Sequence, residues 1–214
     1  MSFQKLVQRK NLFLFLSLIF ILPQALLASR MPKWIEFVSS QYNFSVLLPS
    51  QPQIIQEPAR LTQFHGLATK GITYESRHPK YPEAYRIAII HLKPESDTRD
   101  PEDFLIDAAT SLTESHYRDD DPKVFVSGPK KFQGHPLVDY GIKVDQQKGI
   151  LGRLILVNNL VYNIEFIYRY PFNMRSWESF WRTFDLATPE TRDDKERKQR
   201  EDVIQSFRMW NGLQ

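Results

Sequence analysis

The sequence predicts an α+β protein, and three patterns indicate this class. Short β-rich runs alternate with turn residues, and the best pair, residues 150–157 and 160–168, is separated only by Asn158-Asn159. A helix start stands at Asp100-Pro101, followed by apolar residues at helical spacing. The 214 residues are 42% apolar, as in a globular protein, and include no Cys. That absence excludes disulfides, cysteine metal sites and thiolate catalysis.

The first 29 residues have the pattern of a secretory signal peptide. Basic residues precede an apolar run at residues 12–22, and small residues follow Pro23. The apolar run is shorter than the ~20 residues that a membrane-spanning helix needs. We therefore expect residues 1–29 to be a signal peptide and the mature protein to be periplasmic or secreted. An uncleaved anchor in the inner membrane, facing the periplasm, is the alternative.

Removal of this segment changes what the charge of the protein implies. The whole chain has 28 Lys+Arg and 25 Asp+Glu, a formal net charge of +3. Residues 1–28 contain three basic and no acidic side chains, so the remainder is neutral. A neutral domain has no overall charge that attracts nucleic acid or an anionic membrane. We expect no nucleic-acid partner, and membrane contact only through an uncleaved N-terminal segment.

The first half of the domain predicts strands followed by one helix. Residues 42–48, 66–75 and 85–92 are the β-rich runs, and the last is the clearest. Asp100 can cap a helix that Pro101 begins, and acidic residues in its first turn suit the helix dipole. The apolar positions of this helix fall on one face, at Phe104, Leu105, Ala108, Ala109 and Leu112.

Residues 123–126 and 136–144 predict two further strands, and the hairpin follows them. Because Asn tolerates the positive φ of a two-residue turn, the predicted register pairs Val157 with Leu160 and Arg153 with Ile164. Both faces of the hairpin are largely apolar, so we expect cover on both sides. Arg153 is expected to pair with Asp139 or Glu165, or to line a polar pocket, because charges on a buried face need partners.

The last part of the chain predicts two helices. Asn173 can cap the first, whose aromatic residues recur at helical spacing, and Thr188-Pro189-Glu190 predicts the start of the second. Residues 192–202 are all charged except Gln199, with acidic residues four positions before basic ones. This pattern favours a solvent-exposed helix, and a docking helix for another envelope protein is the alternative.

Several residues occur in an order typical of one family. Trp34-x-x-Phe37 and Phe44-Ser45-Val46-x-x-Pro49 open the domain, Gly134-x-Pro136-x-x-x-Tyr140 lies in its middle, and Ser206-Phe207-Arg208 follows the late helix. Over residues 34–208 the chain thus resembles exported bacterial proteins with the fold of PsbP, an extrinsic subunit of photosystem II.

The resemblance implies a PsbP-like α/β/α sandwich, in which helices flank an antiparallel sheet of about six strands. It implies a role in binding or assembly and supplies no catalytic residues. We expect this α+β domain to span residues 30–187. Residues 188–214 are expected to form a charged helix and tail that pack on it.

The sequence contains little that indicates catalysis. The five His lack metal-site spacing, and no nucleophile elbow, P-loop or dinucleotide motif occurs. We therefore expect no enzyme activity, no metal and no cofactor, and a protein partner in the cell envelope. Weak candidates for a ligand site are His91, Asp139 and Arg153. The alternative is a small periplasmic hydrolase whose site, built from His91, Asp139 and Glu165, forms only in the fold.

Export can be tested by expressing the full-length chain in a Gram-negative host, fractionating the cells and measuring the intact mass. We expect a soluble periplasmic product that lacks residues 1–28, because small residues precede the predicted cleavage position. A membrane-bound product of full length would contradict cleavage and indicate an anchored domain.

Overall fold

A computed structural model describes residues 34–55, 64, 66–93, 100–116, 123–143, 147–169, 174–188 and 191–210. The predicted signal peptide, the Asn173 cap and the tail after residue 210 lie outside these residues. The described residues form ten strands and three helices. None of these helices is long and apolar enough to cross a membrane.

The elements follow the chain as strands first, one helix, more strands and two final helices. The strands are β1 (Ile35–Ser39), β2 (Phe44–Leu48), β3 (Gln53–Ile55), β4 (Ala68–Arg77), β5 (Ala84–Leu92), β6 (Lys123–Val126), β7 (Lys130–Phe132), β8 (His135–Lys143), β9 (Lys148–Val157) and β10 (Leu160–Arg169). The helices are α1 (Pro101–His116), α2 (Met174–Thr183) and α3 (Asp194–Trp210). The predicted α+β class is confirmed.

The main sheet has eight strands, two more than expected. Its order is β3-β4-β5-β10-β9-β8-β6, with β7 also paired to β8, and all of its pairs are antiparallel. Strands β1 and β2 form a separate two-stranded sheet. The strands missed from the sequence include β3 and β7, which have three residues each. Such short runs do not show the two-residue alternation by which strands are recognised.

The hairpin of β9 and β10 has the predicted register. Val157 pairs with Leu160 and Arg153 with Ile164. Asn158 takes the positive φ of the turn, at 53°.

Both faces of the hairpin are covered, as predicted. On one face, Ile155 and Ile164 pack with Phe44 of β2 and Phe180 of α2 in a single apolar cluster. On the other face, the apolar residues predicted for α1 pack with side chains of β8, β9 and β10.

The two helix starts predicted at Asp100 and Thr188 have different outcomes. Asp100 caps α1, since its Oδ1 accepts hydrogen bonds from the backbone N–H of Glu102 at 2.8 Å and of Asp103 at 3.2 Å. The start at Thr188 is wrong, because Thr191 N–H donates to Thr188 O in a turn and α3 begins only at Asp194.

A capping box sets the true start of α3. Asp193 Oδ1 accepts from Glu196 N–H at 2.8 Å, and Asp193 N–H donates to Glu196 Oε2 at 3.2 Å. This reciprocal pair satisfies two otherwise unpaired backbone donors of the first turn. The later start leaves Arg192 outside the helix, where it reaches back to the sheet.

Close contact between glycines and aromatic rings shapes the centre of the main sheet. Gly152 of β9 lies opposite Tyr140 of β8, and Gly149 lies opposite Tyr168 of β10. A Cβ on Gly152 would lie 2.1 Å from Tyr140 Cζ, so the ring occupies the space of the missing side chain. Cross-strand contacts of this kind stabilise a sheet register.

Substituting Gly152 tests this packing. Gly152→Ala is expected to lower the free energy of unfolding by about 1–3 kcal/mol, because the added methyl group overpacks against the Tyr140 ring. The matched control is Gly128→Ala, where a Cβ meets no heavy atom within 4 Å. That control should change stability by less than about 0.5 kcal/mol. Urea denaturation compares the two, and equal stabilities would contradict this account of the packing.

Candidate functional site

The three side chains considered for a hydrolase are not brought together. His91 and Asp139 lie on β5 and β8, which are separated by β10 and β9. Glu165 of β10 lies on the opposite face, where Tyr140 Oη is 2.8 Å from its Oε1. Acid–base catalysis needs its groups within roughly 3 Å or joined by one water. The predicted hydrolase arrangement is therefore not formed.

Glu165 belongs instead to a buried polar cluster within the second face of the sheet. Tyr140, Asn163 and Glu165 are each at most 2% exposed. Asn163 Nδ2 donates to Glu165 Oε1 at 3.1 Å, and Tyr140 Oη lies 2.8 Å from both Asn163 Oδ1 and Glu165 Oε1. Because a buried polar group is costly without partners, this cluster favours one register of β8, β9 and β10.

Arg153 pairs with Asp139, one of the two partners expected from the sequence. Arg153 Nε lies 2.5 Å from Asp139 Oδ1, and Lys130 Nζ donates to Asp139 Oδ2 at 2.8 Å. The Arg153 guanidinium carbon also lies 3.6 Å from the centre of the Trp181 ring, a cation–π contact. Burial lowers the pKa of Arg153, and Asp139 opposes that shift. The pair links the sheet to α2, and its groups are engaged within the protein.

His91 lies at the end of β5 in an apolar setting. Its ring packs edge-on against Tyr42, with centroids 5.7 Å apart, and its Nε2 is buried without a hydrogen-bond partner. Burial lowers the pKa of His91, and the positive charge of Lys70 lowers it further. Within the described residues, no three His, Asp or Glu side chains cluster as metal ligands. The surroundings of His91 suit a neutral packing residue.

A cleft beside the start of α3 contains Arg200, which has two of the buried side-chain nitrogens without a hydrogen-bond partner in the described residues. Its volume is about 470 Å³, within the range of small-ligand sites. The turn between β7 and β8, the segment after α2 and the first turns of α3 form its walls. The lining residues are Phe132, Gln133, His135, Arg182, Phe184, Asp185, Leu186, Ala187, Arg192, Glu196, Gln199, Arg200 and Val203.

Arg192 fastens one wall of this cleft to β2. Its Nε and Nη2 both lie 3.1 Å from Asp185 Oδ2, and Nη2 donates to Ala187 O at 3.0 Å and to Ser45 Oγ. Asp185 in turn exchanges two backbone hydrogen bonds of 2.9 Å with Ser45. Gln133 Nε2 donates to the other oxygen of Asp185 at 2.8 Å. The carboxylate of Asp185 is thus fully engaged.

Arg200 is the exception in this network. It is 7% exposed, and its Nε and Nη2 are buried without a hydrogen-bond partner. The carboxylate of Glu36 is near, but its Oε1 lies 3.6 Å from Arg200 Nε, beyond hydrogen-bond distance. Burial lowers the pKa of Arg200, opposed by Glu36 and reinforced by the neighbouring charge of Arg192.

These contacts correct the prediction of a wholly solvent-exposed charged run. Arg192 and Arg200 are both buried, and the carboxylate nearest Arg200 is Glu36 rather than Glu196. A pattern of charges four apart does not show which of them turn inward. A nearby apolar residue could have indicated the inward orientation of Arg200. Arg200 lies four residues before Ile204 on the same helix, and Ile204 packs on the core.

A groove between α2 and α3 continues from the cleft. It has a volume of about 560 Å³ and is lined by Glu178, Ser179, Arg182, Thr183, Gln199, Asp202, Val203 and Ser206. Arg182, Gln199 and Val203 line both the groove and the cleft. The two spaces therefore adjoin, with Arg182 where they meet and Arg192 and Arg200 in the cleft. Arg182 was not predicted from the sequence either, because an exposed helical Arg has no distinguishing pattern.

The protein is similar to a solved structure from a cyanobacterium. The solution structure of cyanobacterial PsbP (CyanoP) from Synechocystis sp. PCC 6803 matches with a TM-score of 0.47 and 8% sequence identity. The match covers 73% of this chain and 94% of that chain. No protein-family model matches the sequence, and no curated protein matches it. At this identity and TM-score the similarity assigns no function and no functional residue to this chain.

The surroundings of His91 predict a pH-dependent stability. Because its pKa is lower in the folded protein than the ordinary 6.5, the unfolded chain binds the proton more strongly. Neutral His91 therefore contributes fully to the free energy of unfolding above pH 6.5, and this contribution is lost as the pH falls below 6.5. His91→Phe should keep the contact with Tyr42 and reduce this loss.

Urea denaturation at pH values on either side of the ordinary His pKa measures the effect in both proteins. His78, whose pKa is also lowered by burial, keeps its share of the pH dependence in each. A pH dependence that is the same in wild type and His91→Phe would contradict the prediction.

Proposed function

We propose that this protein is a non-catalytic binding protein of the bacterial cell envelope, and that the cleft and groove hold its partner. One observation carries the proposal. Arg200, in the wall of the cleft, has two buried N–H donors without a hydrogen-bond partner. Buried donors in folded proteins are almost always paired. A partner from outside the chain would supply the missing acceptors.

The chemistry of the cleft supports binding rather than catalysis. The two carboxylates among its described lining residues already have partners, Asp185 in Gln133 and Arg192, and Glu196 in the backbone of Asp193. This leaves His135 as the remaining acid–base side chain of the described lining. General acid–base catalysis requires a group that can exchange protons with the substrate. The arginines are always protonated donors, which hold an anionic group without reacting with it.

The location in the cell envelope rests on the N-terminal sequence. The basic, apolar and small-residue regions of residues 1–29 are typical of a secretory signal. A protein partner is proposed because the cleft continues into the groove between α2 and α3. A surface that runs through two adjoining spaces suits an extended chain better than a compact small molecule.

In vivo photocrosslinking tests this function. A photoreactive residue at Gln199, which lines both the cleft and the groove, should give one discrete adduct in the envelope fraction. Adding Arg182→Gln to that photoreactive variant should weaken the adduct, because Arg182 lines both spaces. The control position is Thr69, an exposed residue on β4 that lines neither.

Two results would contradict the proposed function. One is the absence of an adduct at Gln199, or the same adduct at Thr69. The other is hydrolytic turnover by the purified protein that is lost on substitution of a residue lining the cleft.

A further inference from the structure

We infer that the cleft binds the C-terminal carboxylate of an extended peptide, whose body lies along the groove between α2 and α3. This inference rests on the proposed function and names the ligand group that the site takes. Four features of the described residues lead to it: the edge of Arg200 that lacks hydrogen-bond partners, the second cation at Arg182, the serine hydroxyl groups of the groove and its acidic side chains.

The open donors of Arg200 match a carboxylate in geometry. Nε and the Nη2 group lie on the same edge of a guanidinium, and this edge donates two parallel hydrogen bonds to one carboxylate. Neither atom has a hydrogen-bond partner here, although Nε forms an ion pair with Glu36 at 3.6 Å. A phenol, an amide or a hydroxyl would satisfy at most one of the two donors well. The bidentate edge therefore suits a group that presents two acceptor oxygens, as a carboxylate does.

Arg182 supplies a second positive charge at the same place. It is exposed, lines both the cleft and the groove, and has no ion-pair partner among the described residues. The nitrogen atoms of Arg200 are shielded from solvent, so a ligand reaches them only when a neighbouring side chain moves. Arg182 and Gln199, which line the cleft together with Arg200, are both exposed side chains.

The groove favours a peptide over a polyanion. Ser179 and Ser206 offer hydroxyl groups to backbone amides, whereas the buried hydroxyl of Thr183 is already engaged with Phe180 O and Leu47 N–H. Glu178 and Asp202 place negative charge along it. Those carboxylates repel a nucleic acid or a polyphosphate but tolerate an uncharged backbone that ends in one carboxylate.

Glu36 competes with the ligand for Arg200. Its Oε1 lies 3.6 Å from Arg200 Nε and 3.9 Å from Arg192 Nη1, so it neutralises both cations in part without a hydrogen bond to either. Removing its charge should leave more positive potential for an incoming carboxylate. Glu36→Gln is therefore expected to bind the peptide more tightly than the wild type does.

Titration of the purified protein, as processed by the expression host, tests the inference. The probes are N-acetyl-tetraalanine with a free C-terminal carboxylate, the same peptide as its C-terminal amide, and acetate. NMR of the arginine Nε–Hε groups and of backbone amides reports the site and the affinity. We expect saturable chemical-shift changes at Arg200 and Arg182 with the acid peptide. The amide should bind at least about tenfold more weakly than the acid. Acetate should also bind more weakly, because it makes no contact in the groove.

Variants separate the binding role from a structural one. Arg182 is an exposed side chain, so the Arg182→Gln variant should fold normally. Its affinity for the acid peptide should fall by about two- to fivefold. Arg200→Gln should abolish the preference of acid over amide. The control is Arg197→Gln on the same helix, where the native Arg197 is exposed, pairs with Asp194 and lines neither the cleft nor the groove. Its affinity should equal that of wild type.

Equal affinities for acid and amide, or no saturable shift with millimolar acid peptide, would overturn the inference. Acetate binding as tightly as the peptide would overturn the peptide part and indicate a site for free carboxylates. The titration needs neither export nor a cellular partner. If the acid peptide binds as expected but no adduct forms in cells, only the proposed function is overturned. If the adduct forms but the acid peptide is not preferred, only the carboxylate inference is overturned.

Discussion

The burial of both faces of the β9–β10 hairpin is the constraint on which the rest of the structure depends. Strand β10 lies between β5 and β9 at the middle of the sheet, and Val161 and Ile164, on its two faces, are both fully buried. A strand buried on both sides cannot slip by one residue without moving every side chain to the wrong face. The polar cluster of Tyr140, Asn163 and Glu165 adds to this specificity, since a shifted register would leave buried polar atoms unpaired.

The candidate site arises where the C-terminal segment returns to the covered sheet. Arg192 bonds Ser45 and Asp185, so it holds the chain after α2 against β2 and fixes where α3 starts. That anchoring brings Arg200 next to Glu36, a residue from β1. The result is a cleft between the β7–β8 turn, the segment after α2 and the start of α3. The donors of Arg200 lack hydrogen-bond partners because of this packing. Arg192 binds the carboxylate of Asp185, and the carboxylate nearest Arg200 is that of Glu36, 3.6 Å from its Nε.

Local chemistry made several elements predictable. The Asp100 cap, the apolar face of α1 and the register set by Asn158-Asn159 each depend on residues close in sequence, and the structure contains all three. The start of α3 was predicted wrongly because two local signals competed. Thr188-Pro189-Glu190 resembled a helix start, but the reciprocal hydrogen bonds of Asp193 and Glu196 stabilise a later one.

By itself the sequence determined the α+β class, the central hairpin and its double cover, and it named Asp139 as one of two candidate partners for Arg153. Those features follow from periodicity and from charges that must be paired when buried. Only the tertiary structure decided which charged residues of the C-terminal run turn inward. Burial of Arg200 beside Glu36 depends on a contact between opposite ends of the chain, and side-chain spacing within one helix carries no information about it. The same reason separates His91, Asp139 and Glu165, whose positions depend on strand order and face.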